Sequence, residues 1–267
     1  VRVLVSSKVG RWVAWIIFFL LFIPVFGLPL VVVVLASIAG QWNDVLPSHY
    51  TVHHLVDAVH GTSGEELVTS LLTGVIASVV ALTVGTWAAL AVRSLRVRIG
   101  RVVDSLFLMP IAVPSVSVGL GLLVAFSRPP ILLNGTPHIV LIAHVVLVTA
   151  FAYSSVSAGL ARLPPAFEQV AASLGARPAY VLFRVTLPLL TPALVAAAGL
   201  CFALSMGELG ATIMVYPPDW VTMPVGIFAL TDRGSVFDGA ALTVLLLAGT
   251  LIVLVSISRI RTRASFR

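Results

Sequence analysis

Six long apolar runs, separated by short charged or glycine- and proline-bearing segments, make up most of the chain. They lie at about 12–39, 67–92, 103–127, 137–160, 189–215 and 236–258. A helix needs about 20 apolar residues to cross roughly 30 Å of hydrocarbon. A membrane β-strand would alternate apolar and polar positions, and these runs are continuous instead. Helices satisfy their own backbone hydrogen bonds in lipid. The pattern therefore predicts an all-α, polytopic membrane protein with six transmembrane helices. The first run lacks an Ala-x-Ala site, so it is expected to stay as a helix and not to be cleaved as a signal peptide. A single membrane domain over 1–267 is expected, with its core at 67–258 and a polar loop at 161–188.

The interruptions carry the finer signals. In the outer segment 40–66, Val52, Leu55, Val56 and Val59 recur at helical spacing, which predicts a short amphipathic helix at the membrane surface. His49 and His53 are four apart, a spacing that would set both on one helix face to ligate a metal. An ordinary polar interfacial helix is favoured, since no Cys and no HExxH accompany them. The third run contains Pro110, Pro114, Gly119 and Gly121, with Ser115 and Ser117 beside the second proline. That composition predicts a kinked or locally opened helix. Discontinuous helices often line transport pathways, although Gly and Pro also serve close packing in membranes. His138 and His144, in the fourth run, are expected to pack against polar neighbours. The fifth run holds Gly207, Glu208 and Thr212. Glu208, taken as the sole acid clearly within a span, falls about twenty residues in, toward the outer end. A carboxylate there is costly and usually faces a cavity or partner. Pro114, Ser115, Ser117, Gly207, Glu208 and Thr212 form the candidate substrate pathway or gate.

Composition supports the membrane reading. The chain is 59% hydrophobic and only 10% charged, with a mean hydropathy of +1.11, too apolar for a soluble domain of 267 residues. Its net charge of +6 is distributed by side. Arg2, Lys8 and Arg11 precede the first run, and Arg93, Arg96, Arg98 and Arg101 follow the second. Arg162, Arg177 and Arg184 follow the fourth, and Arg259, Arg261, Arg263 and Arg267 follow the sixth. With six spans these all fall on one side. The other side holds Arg128 and Arg233 against Asp44, Asp57, Glu65, Glu66, Asp219, Asp232 and Asp238. The positive-inside rule then puts both termini and the 161–188 loop in the cytoplasm. The basic clusters read as topology signals and anionic-lipid contacts, with no role for nucleic acid. Cys201 is the only cysteine, which excludes an intramolecular disulfide and a cysteine-rich metal site.

Within 161–188, Pro164 and Pro165 suit the first turn of a short helix, and Ala171, Ala172 and Leu174 sustain it. Gly175 can end it with positive φ, and Pro178 follows as a stop. The result is a compact exposed knob. Gln169-Val170-Ala171, then three residues, Gly175, nine residues and Val185-Thr186-Leu187-Pro188 complete the segment. Pro188 is expected to open span five.

This segment resembles the coupling signature of the inner-membrane permeases of binding-protein-dependent ABC importers. That signature is Glu-Ala-Ala, three residues, Gly, nine residues, Ile-x-Leu-Pro. Gln replaces Glu here, with Glu168 one position earlier, and Val replaces the first Ala and the Ile. The resemblance covers spans two to six and implies the type I importer fold. It marks Glu168, Gln169, Ala171, Ala172, Gly175, Leu187 and Pro188 as ATPase-coupling residues. It implies a second permease subunit (a paralogue or an identical copy), an ABC ATPase dimer and an extracytoplasmic substrate-binding protein, in a bacterial inner membrane. Lys8 is the only lysine, and a phosphate-binding Walker A loop needs one, so this chain is expected to carry no cofactor and no catalytic residue. ATP and Mg would be bound by the partner ATPase. Residues 210–234 further resemble permeases for 2-aminoethylphosphonate. Branches for molybdate, sulfate, thiamine, ferric iron and polyamines share the Gly207-Glu208-Leu209-Gly210-Ala211 element. An ion-coupled secondary transporter and a membrane enzyme are the competing classes. The first would need more intramembrane polar sites, and the second a catalytic constellation that the chain lacks.

Overall fold

The computed structural model describes residues 8–260. Arg2, Arg261, Arg263 and Arg267, part of the charge asymmetry, lie outside the described residues. The described chain is helical apart from its connections and one small hairpin. In order, it holds α1 (Lys8–Phe22), α2 (Leu28–Ser37), β1 (Ala39–Gln41), β2 (Ser48–Tyr50), α3 (His53–Val59) and α4 (Thr62–Arg93). There follow α5 (Val97–Ala112), α6 (Ser115–Ala125), α7 (Pro137–Ala161), α8 (Ala166–Ser173) and α9 (Pro178–Val181). The chain continues through α10 (Leu187–Met206), α11 (Thr212–Val215), α12 (Met223–Asp232) and α13 (Val236–Ser258). Among the described residues, five helices are long and apolar enough to span a membrane, and six spans result when the bent pair α5–α6 counts as one.

Two of the spans contain a widened π turn, at Ile23–Gly27 and Leu182–Thr186. Each is followed by Leu-Pro: Leu28-Pro29 and Leu187-Pro188. The leucine N–H closes a bond to the carbonyl five residues back, Ile23 in the first and Leu182 in the second. A proline has no N–H to give, and its ring crowds the carbonyl four residues earlier. The extra residue in the preceding turn relieves that crowding. Pro188 therefore does not open the fifth span. The span runs Pro178–Met206 through the π turn.

The third span opens at its prolines, as its composition predicts. It breaks between α5 and α6 with a bend of 103°. Val113, placed before Pro114, is pushed out of the helical region to φ −96°, ψ 130°. The fifth span ends at Met206 and not near 215, because Gly207 terminates α10.

The chain forms two compact units. One holds the residues up to Ser63 with Ile227–Leu245, and the other holds Gly64–Gly226 with the residues from Leu246 on. In the first unit, β1 and β2 pair antiparallel, Ala39 opposite Tyr50. The expected surface helix is α3, and Val52, Val56 and Val59 are exposed. His49 and His53 do not share a helix face: His49 lies in β2 with φ 56°, and His53 Nδ1 pairs with Asp57 at 2.6 Å. His54 Nδ1 reaches Asp238 at 2.6 Å.

In the second unit, α7 is the central helix, with buried residues spread from Ile139 to Leu160. Ala89, Tyr153, Val156, Leu160, Leu190 and Ala197 pack at one end. Ala77, Ala81, Val148, Ala152 and Cys201 fill the middle, and Ile139, Val140, Ala143, Ala211 and Val215 the other end. Apolar lipid gives little hydrophobic drive for helix association, so close backbone approach has to supply it. Gly85 provides such an approach: a Cβ there would stand 2.8 Å from the Tyr153 backbone N. Acids other than Glu208 do lie within the spans. Glu66 lies in α4, and Asp104, in α5, accepts a hydrogen bond from the Tyr153 hydroxyl.

Candidate functional site

The knob is α8, and its end is defined by hydrogen bonds. Gly175 N–H bonds the Ala172 carbonyl at 2.9 Å, and Ala176 N–H bonds the Ala171 carbonyl at 3.1 Å. This is the paired closure that a left-handed residue after a helix permits, and Gly175 has φ +86°. Gln169, Ala172 and Gly175 are exposed, Ala171 is half-buried, and Leu174 stands 82% exposed at the tip. Val170 and Tyr180 are exposed as well. The surface offered outward is thus small and apolar.

Glu168 points the other way. Its Oε1 and Oε2 accept from Arg93 Nη1 and Nη2 at 2.9 Å each, and the Thr186 hydroxyl donates to Oε1 at 2.8 Å. The Arg93 guanidinium holds the carboxyl below its usual range. Partial burial opposes this, and the Thr186 bond reinforces it. Leu187 and Pro188 start α10 directly after the π turn, Leu187 half-buried and Pro188 exposed. Arg93 was not identified from the sequence, where only its place at the end of a span marked it.

The pathway candidates gather around the two helix breaks. Pro114 is the residue at the α5–α6 break and Ser115 the first of α6. Glu208 lies in the break between α10 and α11, where its Oε1 accepts the Ala211 N–H at 2.7 Å. Its expected position inside span five is therefore corrected: the helix has already ended, and the carboxylate holds the N–H of the residue just before the next short one. Ser115 and Glu208 line one cavity of about 220 Å³, with Pro110, Leu147, Phe151 and His144. Gly210 faces Ser115 Oγ so closely that a Cβ there would collide with it. A Cβ on Gly119 would stand 2.6 Å from the Ala211 carbonyl, so α6 and α11 touch through backbone.

His144 ties this region together. Its Nδ1 is 2.6 Å from Ser205 Oγ in α10, and its Nε2 is 2.9 Å from Thr212 Oγ1 in α11. The Thr212 hydroxyl donates to the Glu208 carbonyl at 3.4 Å. It therefore accepts from Nε2–H, and Nδ1 accepts from Ser205. The buried imidazole thus bridges both sides of the break. Thr212 belongs to this cluster from behind the cavity wall. Ser117 and Gly207 are exposed and are not among the residues lining the cavity. The cavity offers one carboxylate, one hydroxyl and one imidazole, with no lysine or arginine lining it.

Residues 81–264 match the family of binding-protein-dependent transport system inner membrane components. The chain is 52% identical to a Salmonella paratyphi A protein provisionally named 2-aminoethylphosphonate transport system permease protein PhnV, over 97% of this chain and 98% of that one. It is 38% identical to the molybdenum transport system permease protein ModB of Mycobacterium tuberculosis, over 57% of this chain and 61% of that one. Among solved structures, a chain of a bacterial alginate ABC transporter, in complex with its pentasaccharide-bound periplasmic protein, shares the fold. The TM-score is 0.74 at 17% identity, covering 96% of this chain and 95% of that one. A chain of the inward-facing MetNI methionine ABC transporter matches with a TM-score of 0.64 at 16% identity, over 76% of this chain and 96% of that one. With six candidate spans, an exposed knob between the fourth and fifth, and a relative 52% identical along nearly its whole length, this chain belongs to the binding-protein-dependent transport system inner membrane components and is a multi-pass permease of the ABC importer class.

Proposed function

We propose that this permease forms the translocation path of an ATP-driven importer for a small phosphonate of the 2-aminoethylphosphonate type. The observation that carries this reading is the 52% identity to the Salmonella protein over 97% of the chain. The cavity chemistry agrees with it. A zwitterion with a phosphonate and an ammonium needs hydroxyls, exposed backbone N–H groups and a carboxylate along a transient route. Ser115, Glu208 and the glycine-bearing breaks supply these. High-affinity anion capture usually uses arginine, and the cavity lining has none. Tight binding therefore belongs to the extracytoplasmic binding protein. ATP hydrolysis, with ATP and Mg, belongs to a separate ATPase dimer that docks on the α8 knob from the cytoplasm. A second permease, identical or paralogous, completes the path. The termini lie on the cytoplasmic side in this reading, which the arginine distribution supports.

Molybdate is the second reading, supported by the 38% identity to ModB over 57% of this chain. Uptake of labelled 2-aminoethylphosphonate should vanish when the gene is deleted and return on complementation. Persistence of that uptake, with loss of molybdate uptake instead, would reverse the choice of substrate.

A further inference from the structure

We propose that Glu168 is the positioning residue that makes the knob move two core helices at once, α4 through Arg93 and α10 through Thr186. This rests on the reading of α8 as the ATPase docking element. The knob has eight residues, and its tip is apolar: Leu174 and Val170 are free for a partner. Its one acid is not free. Both carboxylate oxygens are taken by Arg93, the last residue of the 32-residue α4, 75 positions away in sequence. Oε1 also takes the Thr186 hydroxyl, which belongs to the π turn that leads into α10.

A bidentate guanidinium–carboxylate pair fixes both distance and direction, which a single hydrogen bond or an apolar contact does not. A push on the tip therefore reaches α4 without passing along the chain. Both helices carry such a push to their remote ends. Near the far end of α4, Ser70 accepts the Met223 N–H at 2.7 Å, and Thr73 accepts from Trp220 Nε1 at 3.0 Å. The far end of α10 is the Glu208 break, held by His144 and bordering the cavity. The π turn is a wide turn that can absorb a residue's worth of axial slip between α9 and α10. Thr186 is the point where Glu168 holds it. Arg93 and Glu168 side chains are 36% and 30% exposed, and a pair so exposed adds little to stability. Its use is therefore directional, and the two roles separate by experiment.

The complete importer, reconstituted in proteoliposomes with its ATPase and binding protein, is assayed for labelled 2-aminoethylphosphonate imported per ATP hydrolysed. Arg93→Glu and Glu168→Arg should each lower that ratio by about fivefold or more, the usual lower range of a coupling between sites. The exchange of both charges, Arg93→Glu with Glu168→Arg, should recover at least half the wild-type ratio. Thr186→Val should lower it less. Glu168→Gln keeps the shape and the Thr186 acceptor but loses the bidentate charge pair, and should fall with the single reversals. Wild-type ratios in the single variants, or an exchanged pair no better than either single, overturns the proposal. So does failure of Glu168→Gln to assemble with its partners, which makes the pair a folding element. The wild-type importer is the control, read with labelled 2-aminoethylphosphonate and with labelled molybdate: import of molybdate alone changes the substrate and the ratio is then read with molybdate, whereas no ATP-dependent import of either overturns the docking reading itself.

Discussion

Gly175 holds φ +86°, a backbone region where a β-branched side chain is strained by about 1–3 kcal/mol. Nothing surrounds the position, so strain and not a clash decides what may stand there. Gly175→Val should unwind the closure by which Gly175 and Ala176 end α8, while leaving the spans inserted. Uptake per ATP hydrolysed should drop several-fold, and full retention of that ratio would detach the knob from coupling. His144 sits in the opposite situation, buried and with both ring nitrogens engaged. His144→Leu fills similar space but leaves the hydroxyls of Ser205 and Thr212 without the ring. Buried polar groups left unpaired cost about 1–3 kcal/mol. The purified permease should therefore melt several degrees lower in detergent and transport poorly. An unchanged melting temperature with normal uptake would reduce the imidazole to a space filler.

At the scale of elements, the pathway region depends on two breaks held against each other. The α6–α11 contact is backbone to backbone at Gly119. Gly119→Leu should force the two short helices apart and lower the yield of folded protein, whereas Gly121→Leu, with open space around it, should be tolerated. Equal yields from both variants would show that the close approach is not needed. The broad layout of these elements was legible in the chain, because an apolar run of span length has few other meanings. The α5–α6 break was partly legible too, since Val113 precedes a proline. The end of span five was not. Leu209, Ile213, Met214 and Val215 keep the run apolar past Gly207, and hydropathy does not see a turn. The turn is made by the Glu208 carboxylate and the Thr212 hydroxyl, which stand in for the lost helical bonds. Pairings between distant residues were also beyond reach. Nothing local to Glu168 marks Arg93, and nothing local to His144 marks Ser205. Glu168 read as a residue offered to a partner, whereas folding turns it back onto the core.

For the whole molecule, the proposed topology links the parts: it sets the knob in the cytoplasm, facing the proposed ATPase, and the segment 40–66 on the outer side, facing the proposed binding protein. Ser173 is exposed on α8, and Val45 is 87% exposed before β2. In a Cys201→Ser background, cysteines at these two positions should label from opposite sides with an impermeant thiol reagent. Labelling of the Ser173 position from outside intact cells would invert the topology. The most direct test of the central claim is uptake by the reconstituted importer. Labelled 2-aminoethylphosphonate should accumulate in proteoliposomes only when ATP, the ATPase and the binding protein are all present. Accumulation by this permease without the ATPase, driven by an ion gradient alone, would contradict it.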